Sequence, residues 1–446
     1  MKAILISTYE LGRQPFGLAS PAAWLRADGH GVACVDLACS PLPRNAVSTA
    51  NLVAFYLPMH TATRLAVKAI ERVREWNPGA HICCYGLYAP LNETLLRGLG
   101  VQTILGGEFE EGLAALARRL ALGTNGRQRA PLISLERLKF LVPDRSDLPA
   151  LSRYARLVVG GVEKQVGYTE ASRGCKHLCR HCPVVPVYNG TFRVVQREVV
   201  LEDIRRQVAA GAQHITFGDP DFFNGVGHAL ALVEALHAEH PGVTYDATIK
   251  IEHLLEHRDA LAVLKRTGCV FVISAVESID GAVLAKLDKG HTRAGFVEAV
   301  RITREAGLAL SPTFIPFTPW TTWAGYRELL RLLVELELVA NVSPIQLAIR
   351  LLIPAGSRLL ELEEIREWAG PFAERALSYP WAHADPALDR LCVDIQELIK
   401  REEKRGAGRA EIFQGIWRLA NAETDAPDLH LAARATIPYL TEPWYC

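Results

Sequence analysis

Three cysteines are the residues of this chain whose spacing indicates chemistry most clearly. They are Cys175, Cys179 and Cys182, in the run Arg-Gly-Cys-Lys-His-Leu-Cys-Arg-His-Cys at residues 173–182. Three thiolates this close together can hold one metal centre, and soft sulfur ligands favour zinc or an iron–sulfur cluster over copper. A structural zinc ion needs a fourth ligand, which His177 or His181 could supply. A four-iron cluster held by only three cysteines instead leaves one iron open for chemistry.

The remaining cysteines do not suggest a disulfide framework. The sequence contains ten cysteines, and six of them lie in or beside apolar segments: Cys34, Cys39, Cys83, Cys84, Cys269 and Cys392. A free cysteine in such a place usually acts as a small buried hydrophobe. The apolar stretch at residues 2–7 is too short for a signal peptide and soon meets Glu10. We therefore expect a cytoplasmic protein whose thiols stay reduced.

Length and composition narrow the classes of partner. The 446 residues are enough for two or three domains with cores of their own. The 49 basic residues balance the 49 acidic ones, so no net field gathers nucleic acid or an anionic membrane surface. No apolar run approaches the ~18 residues that a membrane-spanning helix needs. Nucleic acid and membrane are therefore not expected partners.

The first part of the chain has the pattern of a doubly wound domain. Short apolar runs at 2–7, 32–37, 52–57, 81–85 and 101–105 alternate with helical patterns such as 62–76. Apolar runs without clean alternation are typical of parallel strands that are covered on both faces. We predict a five-stranded α/β Rossmann-like domain over residues 1–122. Sheets of this type bind ligands at the carboxyl ends of their strands, where Gly86, Gly106 and Gly107 occur.

The later part of the chain predicts a second α/β unit. Residues 123–160 read as a linker, with loop-like runs on both sides of a short apolar stretch. Strand patterns then recur near 166 and at 213–217, 244–249, 269–276, 308–315 and 345–353. Six strands with intervening helices predict a partial (β/α)6 barrel over 161–360, followed by a helical extension over 361–446. The cysteines come after the first of these strands, at the end where barrels collect functional groups.

The cysteine loop, in this position, resembles the radical S-adenosylmethionine (radical SAM) superfamily. The resemblance implies that Cys175, Cys179 and Cys182 hold a [4Fe-4S] cluster and that SAM chelates the open iron. It further implies reductive cleavage of SAM to a 5′-deoxyadenosyl radical, with an electron from a flavodoxin- or ferredoxin-type donor. The position before the third cysteine is commonly aromatic in the family and is His181 here. A planar ring is thereby kept.

The resemblance extends to residues that would bind SAM. Asp219, in Gly-Asp-Pro-Asp after the second barrel strand, matches the family position that binds the amino end of SAM, although a helix N-cap is an equal interpretation. Glu277 and Ser278 follow the fourth strand and resemble the family pair at the SAM ribose and carboxylate; an ordinary strand-end cap is the alternative. Arg350 is a weaker candidate for the SAM carboxylate, because any structural carboxylate would also satisfy it.

A doubly wound domain ahead of such a barrel resembles the cobalamin-binding class of the superfamily. That resemblance implies bound cobalamin, with Gly106 and Gly107 close to the cofactor. The loop after the first strand, residues 8–17, contains no histidine that could ligate cobalt. Asp28-Gly29-His30 resembles the start of a cobalamin motif but ends a helix and lacks the later glycine. His60, after the third strand, could face the corrin, although a surface histidine is the simpler interpretation.

The last residues carry a separate resemblance. The chain ends Thr436-Ile-Pro-Tyr-Leu-Thr-Glu-Pro-Trp-Tyr-Cys446, which resembles the radical SAM group named for a CUAEP or CCAEP tail. Cys446 would be the first residue of that tail, and we expect the sequence to stop at a selenocysteine codon read as a stop. Two prolines and three aromatic residues stiffen the tail, so it could deliver a catalytic thiol to a defined place.

These observations predict a radical SAM enzyme that transfers a methyl group to an unactivated carbon of a small molecule or peptide with the help of cobalamin. One alternative is a radical SAM oxidation or rearrangement without bound cobalamin. The other is a metal-binding or electron-transfer module without radical chemistry.

Overall fold

The structure is a computed structural model that describes residues 1–123, 131–421, 424, 426–429 and 439–441. Cys446, predicted to carry a catalytic thiol, and the four residues before it lie outside the described residues. None of the helices in the described ranges is both long and apolar enough to cross a membrane.

The first sheet is doubly wound and parallel, as predicted. Its strand order is β2-β1-β3-β4-β5-β6, the flavodoxin-like order with one strand added. The strands are β1 (Lys2–Ser7), β2 (Gly31–Asp36), β3 (Leu52–Tyr56), β4 (His81–Tyr85), β5 (Thr103–Gly107) and β6 (Ile133–Ser134). The helices between them are α1 (Phe16–Ala27), α2 (Arg44–Thr49), α3 (His60–Trp76), α4 (Tyr88–Leu91), α5 (Glu93–Gly98) and α6 (Glu110–Ala121).

Burial on both faces explains why these strands lack polar–apolar alternation. All five residues of β3 are buried, and one hydrophobic cluster lies on each side of the sheet. Helix α3 covers one side with Ala62, Ala66, Ile70 and Val73, which recur at helical spacing. The sixth strand, β6, pairs with β5 and comes from the segment that the sequence indicated as a linker.

The second sheet is curled and carries the cysteine loop. Its order is β14-β13-β12-β11-β8-β7-β15 among the described strands. The strands are β7 (Arg156–Val159), β8 (Val162–Thr169), β11 (His214–Phe217), β12 (Thr244–Thr248), β13 (Cys269–Glu277), β14 (Ala309–Phe314) and β15 (Tyr439–Leu440); β9 (Ser172–Gly174) and β10 (Phe192–Val194) form a separate hairpin. Strands β8, β11, β12, β13 and β14 are parallel, whereas β7 and β15 are antiparallel additions at one edge.

Helices cover the outside of this half-barrel and form the carboxyl-terminal extension. Those of the half-barrel are α7 (Val185–Tyr188), α8 (Arg197–Ala209), α9 (Val226–Glu239), α10 (Ile251–Glu256), α11 (Ala260–Arg266), α12 (Gly281–Leu287), α13 (Arg293–Glu305) and α14 (Trp323–Glu335). Those of the extension are α15 (Glu363–Trp368), α16 (Pro386–Lys404) and α17 (Arg409–Ala420). The predicted mixed α/β fold class is confirmed by this arrangement.

The predicted sixth barrel strand, 345–353, is not a strand. Residues Pro344–Leu347 form a 3₁₀ turn, and only an isolated parallel bridge between Phe317 and Arg350 remains of the pairing. Pro344 begins the turn and Pro354 ends the segment; because proline has no backbone N–H to donate, neither can extend a ladder. The prediction of a regular strand over 345–353 was therefore wrong.

Candidate functional site

The cysteine loop begins directly after the β9 strand and is anchored by backbone hydrogen bonds. Cys175 N donates to the Thr191 carbonyl (3.2 Å), and Lys176 N donates to Oδ1 of the fully buried Asn224 (3.1 Å). Gly174 has φ 74°, and a Cβ there would lie 2.4 Å from the Thr191 carbonyl oxygen. Only glycine therefore allows the chain to enter the loop at this angle.

The far side of the loop is anchored by α12 and by the segment before α15. Arg180 N donates to the Leu287 carbonyl (2.9 Å), and Ser357 Oγ donates to the Arg180 carbonyl (3.0 Å). Arg358 Nη1 donates to the Leu178 carbonyl (2.7 Å). The loop is thus anchored on both sides by segments that are distant in sequence.

Two buried lysines face the thiols of the loop. Lys250 Nζ lies 3.9 Å from Cys179 Sγ, and the Lys289 side chain is only 3% exposed. Burial raises the pKa of Cys182 to about 12 and also raises the pKa of Cys175. Burial keeps the Cys175 and Cys182 thiols uncharged until a metal centre binds and deprotonates them. The two ammonium groups would then stabilise the resulting thiolates. The donor set fits an iron–sulfur cluster.

Glu277 lies at the end of β13 and connects the fourth strand with the cysteine loop. Its Oε1 is 3.1 Å from His181 Nε2 and 3.5 Å from Lys289 Nζ. Burial by itself would raise the pKa of Glu277, but the Lys289 ammonium and the His181 hydrogen bond lower it to about 2. The residue has φ 65°, a backbone conformation that is costly for a side chain other than glycine and is often found at functional sites.

A cleft opens beside this carboxylate. It has an open volume of about 390 Å³ and is lined by Glu277, Ser278, Ile279, Asp280, Val283, Ile315, Pro316, Thr318, Trp320, Thr321, Thr322, Gly325, Tyr326 and Leu329. Glu277 and Ser278, which the sequence indicated as a pair, therefore line the same space. Lys289 follows them in the chain, but its electrostatic interaction with Cys179 and Cys182 was not predicted.

Asp219 is buried and holds the turn that leads into the cysteine loop. Its Oδ2 accepts from Ala171 N (2.9 Å) and its Oδ1 accepts from Ser172 Oγ (2.5 Å), while burial raises its pKa to about 7. The N-cap interpretation was wrong for Asp219: the N-cap is Asp221, whose Oδ1 accepts from Phe223 N (3.1 Å). Asp219 therefore positions residues 171–172.

Arg350 pairs with a carboxylate of the chain, which is the alternative to SAM that the sequence left open. Its guanidinium hydrogen-bonds to Asp389, donates to the Trp381 carbonyl (2.7 Å) and stacks on the Trp381 ring, with 3.6 Å between Cζ and the ring centroid. Asp389 lies on α16, in the helical extension. A carboxylate of the chain therefore pairs with the guanidinium, which favours the structural interpretation of Arg350; SAM binding by Arg350 stays a prediction.

The glycines indicated for the cobalamin domain are explained by packing within the protein. A Cβ at Gly107 would lie 2.1 Å from the Ser134 carbonyl oxygen, and one at Gly106 would lie 2.6 Å from Pro90. At Gly86 the space belongs to Tyr56, whose ring a Cβ would approach to 2.9 Å. The space beside these glycines is therefore occupied by β6 and by neighbouring side chains, and is not open to a cofactor.

His60 was expected to be a surface histidine or to face a corrin. It is partly buried, and its Nε2 lies 2.6 Å from the Ala376 carbonyl, with its ring edge-on to Tyr88. The histidine therefore contacts the carboxyl-terminal extension.

A buried ion cluster that the sequence did not indicate joins the two sheets. Arg173, two residues before the first cysteine of the loop, contacts Glu110 (2.7 Å), Glu170 (2.7 Å) and Glu108 (3.3 Å), and its side chain is 7% exposed. Burial raises the pKa of Glu108 to about 7 in spite of the nearby guanidinium. Glu108 and Glu110 come from the end of the first sheet, so the cluster couples that sheet to the cysteine loop.

Removing this arginine should destabilise the protein strongly. Arg173→Met leaves three buried carboxylates without their cation, so we expect a loss of about 3–5 kcal/mol in the free energy of unfolding. Because the pKa of Glu108 is raised in the folded state, Glu108 stabilises the fold while it is protonated. This stabilisation is lost as pH rises from about 4.5 to 7. The unfolding free energy lost in Arg173→Met, measured by urea titration, should therefore be larger at pH 8 than at pH 5.5.

Arg301→Met is the matched control, because Arg301 pairs with Glu298 and Glu305 on an exposed helix face. An exposed pair is worth at most about 1 kcal/mol. Equal losses in the two variants at both pH values would contradict a coupling role for the buried cluster.

Comparison with known proteins identifies the class of the second unit. Residues 169–333 match the family model of the radical SAM superfamily. The match begins at the end of β8, includes the three cysteines and Glu277, and ends in α14. The chain therefore carries a radical SAM domain.

Relatives and solved structures extend the likeness to both sheets. The chain is 25% identical to hopanoid C-3 methylase of Methylococcus capsulatus over 343 residues, 74% of this chain and 66% of that protein. The fold resembles the cobalamin-dependent SAM radical enzyme OxsB with aqua-cobalamin and SAM bound (TM-score 0.69, 13% identity, 90% of this chain and 67% of that one). It also resembles the radical SAM methyltransferase TsrM of Kitasatospora setae (TM-score 0.60, 16% identity, 75% and 73%). The chain thus spans about two thirds of the length of these proteins.

Proposed function

We propose that this protein is a radical SAM enzyme in which Cys175, Cys179 and Cys182 hold a [4Fe-4S] cluster. The observation that carries the proposal is the set of three thiols on one anchored loop, facing Lys250 and Lys289 at the carboxyl ends of parallel strands. When bound, the cluster and SAM supply a 5′-deoxyadenosyl radical. The open iron that three cysteines leave is the place for SAM.

The chain's own residues would hold and orient these groups. The two lysines offset the negative charge of the three thiolates, which favours binding of the cluster. Glu277 and Ser278 line the cleft beside the loop and would bind SAM, with Glu277 kept ionised by Lys289 and oriented by His181. Asp219 would act through residues 171–172, which it ties to the end of β11, as a positioning residue.

We expect the reaction to be methyl transfer to an unactivated carbon of a small molecule or peptide. Support comes from the similarity to a hopanoid methylase and from a fold shared with two enzymes whose names describe cobalamin or methyl transfer. The strand order puts a switch point between β1 and β3, where open sheets of this class bind cofactors. Cobalamin would lie at this carboxyl edge, between the two sheets.

A second candidate function is a radical SAM oxidation or rearrangement without cobalamin. Protein atoms already occupy the space beside Gly86, Gly106 and Gly107, where a cofactor would have to approach the backbone. Tyr56, Tyr85 and Phe109 also form an aromatic cluster against the first sheet. Both observations favour this candidate. The loop after β1 also offers no histidine to cobalt. Because these residues do not form a recognisable cobalamin cradle, we derive no step through the corrin.

Two measurements test these functions. Anaerobic, reduced protein with SAM should release 5′-deoxyadenosine, measured by mass spectrometry with a chemical reductant in place of a flavodoxin or ferredoxin. A metal-binding or electron-transfer module would release none. Purification in excess hydroxocobalamin should then leave a corrin absorption spectrum on the desalted protein if the methyltransferase proposal holds. Release of 5′-deoxyadenosine without retained corrin would select the second candidate.

The likeness of the final residues to the CUAEP and CCAEP tails remains a further proposal. Cys446 would be the first residue of such a tail, followed by selenocysteine at a codon read as a stop. The test is the nucleotide sequence beyond codon 446: an in-frame Ala-Glu-Pro after one intervening codon is expected, and any other continuation rejects the assignment.

A further inference from the structure

A second group of metal-ligating side chains lies beside the cysteine loop. His177 belongs to the loop itself, Asp221 follows β11, and His253 lies on α10 after β12. One ligand atom from each residue can be chosen so that all three lie within 4.8 Å of one another. Three separate elements thus bring two imidazoles and a carboxylate together. Nothing in the cysteine motif itself requires this group.

The distances within the group suit a small tetrahedral cation. Asp221 Oδ2 is 2.7 Å from His253 Nδ1 and 3.7 Å from His177 Nε2. Ligand atoms around tetrahedral zinc lie about 3.3 Å apart, given metal–ligand bonds of about 2.0–2.1 Å. The first observed distance is shorter than this value and the second is longer, so side-chain rotations alone could bring the ligand atoms to tetrahedral spacing.

The group is buried and its ligand atoms are not satisfied by the protein. The Asp221 side chain is fully buried and that of His253 is 8% exposed. Among the described residues, Asp221 Oδ2, His253 Nδ1 and His177 Nε2 have no hydrogen bond of acceptable geometry. Apart from the 2.7 Å approach of Asp221 Oδ2 to His253 Nδ1, these atoms lack a partner. A buried polar group without a hydrogen bond costs about 1–3 kcal/mol, so three such atoms within 4.8 Å of one another favour a bound ion.

We propose that His177, Asp221 and His253 bind one divalent cation of the zinc type, separate from the cysteine centre. Two nitrogens and one oxygen are a common zinc donor set, and the fourth position would take water. Glu252 Oε2 lies 3.8 Å from His177 Nδ1 and 2.5 Å from Lys250 Nζ. Lys250 is therefore balanced by Glu252, which leaves the Asp221 charge for the cation.

The cation would connect the cysteine loop to the ends of β11 and β12. Lys250, which faces Cys179, is three residues before His253 and just precedes α10. A metal bridge from His177 to His253 would fix the loop and Lys250 relative to each other. The three ligands are positioning residues in this role, and their loss should increase the rate at which the cluster is lost without removing any cysteine.

Elemental analysis of the purified holoenzyme tests the proposal. After incubation with zinc and desalting, we expect about one zinc per chain in addition to about four irons. Asp221→Asn and His253→Gln should each lower bound zinc at least tenfold while initial iron remains. His237→Gln, on the outer helix α9, is the control and should leave zinc unchanged. Circular dichroism of each variant checks that it is folded.

Cobalt substitution separates this site from zinc held by the cysteines. Co²⁺ in a site of two imidazoles and a carboxylate should give visible d–d bands without an intense thiolate charge-transfer band, and should still bind when Cys175, Cys179 and Cys182 are all alanine. The proposal is overturned if zinc binding disappears with the cysteines, persists in both Asp221→Asn and His253→Gln, or is absent from the wild-type protein. Both measurements detect bound metal and do not depend on enzyme activity. They can therefore be interpreted even if the protein shows no radical chemistry.

Discussion

Cys179→Ala is expected to remove both the iron and the 5′-deoxyadenosine product. Cys179 is buried and is the thiol that Lys250 contacts. Loss of a cluster ligand should cost more than the about 10–100-fold typical of a residue that only orients one. We therefore expect iron to fall from about four per chain to background. Iron analysis, the visible spectrum and product mass spectrometry measure the outcome.

Cys392→Ala provides the control for this substitution. Cys392 is also buried, lies on α16 in the helical extension, and its Sγ hydrogen-bonds to the Ala348 carbonyl at 3.6 Å. Its replacement should cost about 1 kcal/mol of stability and leave iron and product unchanged. If the Cys179 variant retains full iron and product, or if the wild-type protein carries zinc and no iron, the proposed cluster site is wrong.

Glu277→Gln should affect both stability and SAM. The substitution leaves the Lys289 ammonium, 3% exposed, without its carboxylate, which should cost about 3–5 kcal/mol of unfolding free energy. If Glu277 also binds SAM, the dissociation constant should rise at least about tenfold, equivalent to about 1.4 kcal/mol. Urea denaturation and isothermal titration calorimetry measure the two effects separately.

A second substitution separates the two roles of Glu277. Adding Lys289→Met to Glu277→Gln removes the unpaired charge, so most of the lost stability should return. Weak SAM binding should remain, because methionine restores no contact to the ligand. Glu298→Gln, at an exposed ion pair, is the control for a lost surface carboxylate. Recovery of SAM binding in the double variant would show that Glu277 acts only as the partner of Lys289.

Arg350 and Asp219 show why motif positions alone gave incomplete answers. Arg350 finds its carboxylate 39 residues later, in a helix that no barrel pattern includes. The residue that caps the turn after β11 is Asp221, two positions beyond the aspartate that the motif indicated. A motif specifies which residue types stand near a strand end, whereas the partner of each side chain depends on segments that are distant in sequence.

The sequence by itself predicted the cysteine loop as the metal centre and determined the fold class. Both depend on information within short segments: the spacing of three thiols on one loop, and apolar runs alternating with helical patterns. Tertiary structure decided the surroundings of that centre. Lys250 reaches Cys179 across 71 residues, Asn224 reaches Lys176 across 48, and Arg173 meets Glu108 across 65. Such pairs leave no local pattern, because the energy of a buried charge or hydrogen bond depends on which atoms the whole fold places within a few ångströms.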